Sequence, residues 1–451
     1  MRCKQRLFFL FVLFFLWDVS VFAFSEGLQP PNRDASTERP TDIRTIQWAG
    51  RSWRVRPWPG NPGPNNWCDT EDCVWVDANG ALHLTIRHKN GKWYASEVNT
   101  SDYSNFGEHR FFVEGPLDAL DPNVVLGLFL YSGVEDDDIE ELDVEFAAWG
   151  DTDPAADDGW YTTWYQNAIG DQYSFDVALN GSYTTHAIDW AAARVDFESL
   201  HGFYDAPPNP DAVIAQWSTS NLNVIPAPED EMRIHMNLWL MQGNPPTDGQ
   251  EVEIIIHDLK APPEVPKNVS ASDGNFSDRV SVVWDALSTA EAYKVFRSES
   301  ETGTKTLLGS SPDAPFDDRT ATPDLAYVYW VVGVNDQGES LFSVSDTGRR
   351  AIPLHVTPEL LGQTDVQLQW QHQDAACHYE VHRASTPYFD PTSSTLSATL
   401  DAPASTYTFI DDAGDLDANY FYQIRAIGCA SDLPSPSNRT GEFDFDLSPG
   451  Q

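Results

Sequence analysis

Basic residues are scarce. Only 27 lysines and arginines stand against 69 aspartates and glutamates in 451 residues, a formal charge of −42 and a pI near 4.3. Nucleic acid and anionic membrane surfaces repel such a polyanion, which argues against both as partners, and strongly sulfated polymers are disfavoured as substrates. Long segments with a 3.6-residue apolar period are missing, which argues against a helical bundle. Cysteine is sparse, with five residues, and no second C-x-x-C or histidine pair completes a zinc set. The histidines show neither H-E-x-x-H nor triad spacing. The chain nonetheless has material for cores: 41% of it is hydrophobic and 12% aromatic. Its length calls for about two to four domains.

The N-terminus reads as an export signal. Arg2, Lys4 and Arg6 precede the apolar run Leu7–Trp17, and Val21-Phe22-Ala23 supplies a cleavage site. The run of 11 residues is too short to span a bilayer. A signal peptide over 1–23 therefore implies a secreted protein, extracellular or periplasmic, with no membrane contact after cleavage. Cleavage removes Cys3 and leaves four cysteines. In an oxidising compartment these read as two disulfides, Cys68–Cys73 and Cys377–Cys429.

Residues 24–44 are polar and proline-bearing and read as a linker. From there to 261 the chain is a string of short β-type segments, among them 81–86, 110–113, 124–131, 141–146 and 234–240, separated by Gly, Asn, Asp and Pro. One large antiparallel sandwich over 45–261 is expected. The break Ala261-Pro262-Pro263-Glu264-Val265-Pro266 ends it. Two repeats follow, 262–350 and 351–443. Trp284 and Trp370 are 86 positions apart, as are Tyr293 and Tyr379, while Tyr327 and Tyr329 recur 93 positions later as Tyr420 and Tyr422. Two sandwich modules of roughly 90 residues account for these spacings, and the pattern resembles fibronectin type III modules.

The chemistry concentrates in Glu141-Leu142-Asp143-Val144-Glu145-Phe146. Side chains alternate along a strand, so Glu141, Asp143 and Glu145 share one face while Leu142, Val144 and Phe146 share the other. Three like charges side by side are costly without a purpose. Residues four apart lie about 13 Å apart at Cα, and glutamates leaning inward by ~4 Å would bring their carboxyls to roughly 5 Å, the separation for retaining glycoside hydrolysis. Chance alone would place roughly one or two such acidic triples in a chain of this composition. The apolar strand Val124–Tyr131 just before the triple, its apolar alternates and the tryptophan-rich surroundings favour a sugar site.

At these residues the chain resembles glycoside hydrolase family 16, the jelly-roll β-glucanases. Their signature strand is E-x-D-x-E or E-x-D-x-x-E, and Glu141–Glu145 fits the unbulged form, which is similar to lichenases and xyloglucan endotransglycosylase/hydrolases. The resemblance covers roughly residues 45–261. It takes in Ala95–Thr100 and Phe106–Phe111 as two strands lining the cleft, Phe129–Gly133 before the acidic strand, Trp164–Asn167 after it, and Arg233–Trp239. The fold it implies is all-β, a concanavalin-like β-jelly-roll sandwich, here followed by two immunoglobulin-like β-sandwiches. The roles it implies are Glu141 as nucleophile, Asp143 as assisting residue and Glu145 as acid/base. Glu97, Tyr131, Gln166, Asn237 and Trp239 would contact sugar. The chain departs from the lichenase pattern at Ile139 (a tryptophan in many lichenases) and at Asn99 (a common arginine). It departs again at His257, where many relatives have a calcium-ligating Asp, although Asp258 adjoins it. No metal and no cofactor are expected, and structural calcium is left open. The implied activity is a secreted retaining endo-β-glucanase on a neutral polysaccharide, acting as a monomer. A transglycosylase on the same residues and a non-catalytic carbohydrate-binding or adhesion protein are the alternatives.

Overall fold

A computed structural model describes residues 43–442, apart from 60–61, 134–139, 154, 167, 324, 352–353, 363, 374–375, 388, 402–404, 413–418, 429–436 and 438–439. The expected signal peptide, most of the expected linker, Ile139 and Cys429 lie outside the described residues.

The fold is all-β. The first sandwich contains β1 (Thr45–Trp48), β2 (Arg51–Val55), β3 (Val74–Val76), β4 (Leu82–Lys89), β5 (Lys92–Tyr94), β6 (Ser96–Thr100), β7 (Gly107–Glu114), β8 (Val124–Tyr131), β9 (Glu141–Phe146), β10 (Gly159–Tyr165), β11 (Ala168–Phe175), β12 (Tyr183–Ala191), β13 (Arg194–His201), β14 (Val213–Thr219), β15 (Arg233–Leu240) and β16 (Val252–Lys260). One sheet runs β1-β2-β6-β15-β8-β9-β10-β11. The other runs β14-β13-β12-β7, with β16 between β7 and β4 and with β3 and β5 on β4. The core between them takes every second residue of the central strands, among them Leu126, Leu128, Leu142, Val144, Phe146, Met236, Leu238 and Ile256. Leu142, Val144 and Phe146 are fully buried. At about 1.5–3 kcal/mol each, they fix which face of β9 turns inward and thereby turn its acids the other way.

One expectation is corrected here. Phe106–Phe111 was expected beside Ala95–Thr100 along the cleft, but β7 belongs to the opposite sheet, between β12 and β16. The turn 101–106 carries the chain from one layer to the other, and Phe111 and Val113 enter the common core from that side. Gly107 (φ 141°) sits at a close approach, where a Cβ would collide with the Gln337 carbonyl and the Pro262 ring.

Two smaller sandwiches follow, each with its own core. One is built around Trp284, Tyr293, Tyr327, Tyr329 and Val331, the other around Trp370, Tyr379, Tyr407, Tyr422 and Ile424. The repeat seen in the sequence is a repeat of contacts. Tyr293 Oη accepts the Leu287 N–H (2.7 Å), and Tyr379 Oη accepts the Gln373 N–H (2.6 Å). The first of these sandwiches joins the β7 sheet through Gly338, which pairs with Gly107. The buried Arg51 guanidinium donates to the carbonyls of Ala261 and Pro262 at this junction, and Asn335 Nδ2 donates to Ala261 O (2.9 Å). The Cys68–Cys73 disulfide is formed, with Cα atoms 5.9 Å apart. Cys377 is disulfide-bonded, and its expected partner is the undescribed Cys429.

Candidate active site

The strand β9 is central in its sheet, so its outward acids face neighbours on both sides. Cross-strand register sets three rows on this face. The first is Trp160, Glu145, Gly127, Asn237 and Glu97, continued by Arg56, whose N–H donates to Glu97 O. The second is Thr162, Asp143, Phe129, His235 and Asn99, with Arg54 beyond. The third is Trp164, Glu141, Tyr131 and Arg233. Asp143 points away from the core yet is only 2% exposed, so the flanking side chains wall it in. Gly127 makes room in the first row for the Asn237 side chain, whose Oδ1 lies where a Cβ would collide with it.

Burial sets the electrostatics. It pushes Glu145 up to about 8, with the Glu141 charge adding to the effect. Burial also lifts Glu141 to about 7; a hydrogen bond with Asp143 pulls it back and the Glu97 charge pushes it up. Asp143 is held well above the carboxylate range by burial and by the charges of Glu141 and Glu145. Its interaction with Glu141 adds to that rise, and the Trp164 indole opposes it. Asp143 was expected to assist, by a hydrogen bond to the nucleophile and by its charge; between two carboxyls in a dry site its charged form is the disfavoured one. Asp143 Oδ1 has no hydrogen-bond partner.

Beside the acids lies a compensated network. Glu97 accepts from Arg56 (2.7 Å) and from His235 Nδ1 (3.2 Å). Burial opposes ionisation of Glu97, but Arg56 and His235 outweigh it and hold the carboxyl at about 2. Burial drives His235 down, so the ring is neutral at neutral pH. Phe129 and Tyr131 pack on that ring at centroid distances of 5.0 and 5.4 Å.

The residues expected to contact sugar divide. Glu97, Tyr131 and Asn237 stand in the rows beside the acids. Asn237 is 4% exposed and its Oδ1 has no partner. Trp239 lies one step past Asn237 on the same face, in a small cluster with Trp67, Ala95, Val125 and Ala147. Gln166 is not in a strand. It is exposed in the turn after β10, with φ 51°, and is not brought into the rows. Sequence reasoning missed Arg56, His235, Trp149, Trp160 and Trp164. Trp160 and Trp164 carried a usable signal, since they alternate on the strand after the acidic one. No comparable signal marked Arg56 or His235.

The region raised for calcium is internally paired. His257 Nε2 is 2.7 Å from Glu114 Oε2, and Asp258 Oδ1 accepts the Leu259 N–H. Among the described residues, the cluster of three potential metal ligands is Cys68, Asp72 and Cys73, and both of its sulfurs are spent in the disulfide.

No family model matches this chain, and no curated protein matches it. Solved structures are similar to parts of it. The Bacillus licheniformis β-glucanase is 16% identical over 46% of this chain and 90% of that one, with a TM-score of 0.36. A Bacteroides ovatus mixed-linkage-glucan glycoside hydrolase family 16 protein, in complex with a G4G4G3G product, is 15% identical over 48% of this chain and 98% of that one, with a TM-score of 0.37. A fibronectin-type-III-like protein from Clostridium thermocellum is 22% identical over 23% of this chain and 100% of that one, with a TM-score of 0.19.

Proposed function

We propose that this chain is a retaining, endo-acting glycoside hydrolase that cleaves a neutral β-glucan through a covalent glycosyl-enzyme intermediate. The observation that carries the reading is geometric: Glu141, Asp143 and Glu145 share the outward face of one strand, walled in so that Asp143 is only 2% exposed, and burial raises all three carboxyls. Glu145, pushed up to about 8, holds a proton at neutral pH and donates it to the leaving oxygen. Glu141, four residues away on the same face of the strand, is the carboxylate that attacks the anomeric carbon. Protonated Asp143 hydrogen-bonds the nucleophile, orients it and releases it as the ester forms. Glu145, now a carboxylate, then takes a proton from water as the water opens the ester, which returns both groups to their starting states.

A net charge of −42 supports a neutral polymer over an anionic one. Export belongs to the same proposal. The signal-like Arg2–Ala23 segment supports it, as does the Cys68–Cys73 disulfide, a bond that persists in oxidising compartments.

The test is a panel of lichenan, laminarin, xyloglucan, agarose and carrageenan. Reducing ends report cleavage, and proton NMR of the first-formed product reports the anomer. Retention on a neutral β-glucan, abolished in Glu141→Gln, is the expected result. No cleavage of any polymer, or an inverted product, refutes the proposal.

A further inference from the structure

Trp149 contradicts the chemistry of its own turn. The Asp151 N–H donates to Ala148 O (2.8 Å), closing a four-residue turn whose central residues, Trp149 and Gly150, have φ of 52° and 82°. Turns with two positive φ values are built from Asn, Asp and Gly, because a larger side chain there crowds its own backbone. A tryptophan in this conformation is strained, and such strain persists where the side chain has a use.

The surroundings indicate that use. The Trp149 ring is partly exposed, 6.3 Å from the Trp160 ring in an edge-to-face arrangement and 6.2 Å from the Trp239 ring. Trp160 is the cross-strand partner of Glu145. Trp239 is two residues past Asn237, whose buried Oδ1 lacks a partner. Ala147 and Val125 pack in one cluster with Trp239 and Trp149, and the Trp160 indole donates to Ala147 O (2.9 Å). The Trp149 ring therefore bridges Trp160 on β10 and Trp239 on β15, past the acid/base end of the carboxyl row, and the unmet Asn237 acceptor lies over Gly127 within that row. Flat aromatic faces take up the C–H face of a sugar ring, and a buried amide oxygen accepts a sugar hydroxyl.

We propose that Trp149, with Trp160 and Trp239, forms a stacking platform for one pyranose ring of a neutral β-linked glucan next to Glu145. The proposal rests on the glycosidase reading for its ligand class, and its test separates the two.

Trp149→Asn supplies a residue suited to positive φ, and Trp149→Phe retains a ring. In the full chain, three quantities are measured for each: KM and kcat on the polymer that is cleaved, affinity for a β-glucan tetraose by tryptophan fluorescence, and the melting temperature. The expected result for Trp149→Asn is KM raised about tenfold, with kcat falling less, tetraose affinity weakened in parallel and the melting temperature unchanged or raised. Trp149→Phe recovers part of the affinity. Unchanged KM and affinity overturn the platform. So does a lowered melting temperature that accounts for the weaker binding, since Trp149 would then be packing alone. A chain that binds the tetraose through Trp149 but cleaves nothing retains the platform and ends the hydrolase reading.

Discussion

Two sets of buried acids in this chain meet opposite fates. On β9, the immediate cross-strand neighbours of Glu141, Asp143 and Glu145 are Trp164 and Tyr131, Thr162 and Phe129, and Trp160 and Gly127, none of them basic, and all three acids are pushed upward. In the first small sandwich, Asp318 is 2% exposed, as Asp143 is, but accepts from Arg297 (2.6 Å), Tyr329 Oη (3.0 Å) and Thr320. Burial pushes its carboxyl up, but Thr320, Arg297 and Tyr329 outweigh it and hold it below the usual range. The second small sandwich repeats the arrangement, with Asp411 accepting from Arg383 (2.7 Å) and Tyr422 Oη (2.7 Å). A protein that builds the compensated cradle twice and omits it at three adjacent acids has kept those acids uncompensated. Compensated acids hold structure together, whereas uncompensated ones keep a proton available to give away.

The comparison breaks first at catalysis. Glu145→Gln should cut turnover by about 10²–10⁴-fold, read as initial rates of reducing-end release, while the melting temperature at neutral pH stays level or rises, because the amide, unlike the carboxyl it replaces, does not ionise in the unfolded chain. Asp318→Asn should do the reverse. Activity is expected to stay at the wild-type level, and the unfolding transition of the first small sandwich should lose about 2 kcal/mol from the broken ion pair. Asp411→Asn should cost less, because the Asp411 side chain is 13% exposed against 1% for Asp318. Denaturant titration followed by tryptophan fluorescence ranks the two. An Asp318→Asn variant that loses activity at unchanged stability would erase the distinction.

The sign of the pH dependence also separates the two sets. The folded pKa of Glu145 is raised from 4.5 to about 8, so its contribution to stability is full below 4.5 and is lost as pH rises through 8. The folded pKa of Asp318 is depressed below 3.8, so its contribution is present above 3.8 and is lost as pH falls through the lower folded value. Calorimetric scans between pH 3 and 9 should therefore show alkaline loss in the large sandwich and acid loss in the small one. Glu145→Gln should remove part of the alkaline loss and leave the acid loss untouched.

How much of this was legible depends on how far apart the partners lie. The acids of β9 were readable because alternation within one strand needs no knowledge of its neighbours. The Trp–Tyr pairs of the small sandwiches were readable because they repeat at a fixed spacing. Asp318 and Asp411 lie 93 positions apart, as the tyrosines above them do, and could have been found by the same count. Arg56 and His235 could not. They meet at Glu97 only because β2, β6 and β15 are adjacent in the sheet, and one strand's sequence does not choose its neighbours or its register. β7 was placed in the wrong layer for the same reason, since a short turn can return a strand to the same sheet or carry it across the core. Trp149 was hidden because its position depends on a backbone conformation that its own residue type disfavours.

The smallest effect links the compensated and uncompensated acids directly. Glu97 is ionised, and its charge adds to the burial that lifts Glu141. Arg56, 2.7 Å away, cancels most of that charge at longer range, and burial, the larger cause, is unaffected by substitution at 97. Glu97→Gln should therefore lower the acid limb of the kcat/KM profile, which reports ionisation of Glu141 in the free enzyme, by less than about one pH unit. The alkaline limb, set by Glu145 near 8, should stay in place, because Glu97 is not among the causes of its shift. The bell should widen toward acid without moving at its other edge. An acid limb that rises, or two limbs that move together, would mean that Glu97 acts on the acids through a change of shape and not through its charge.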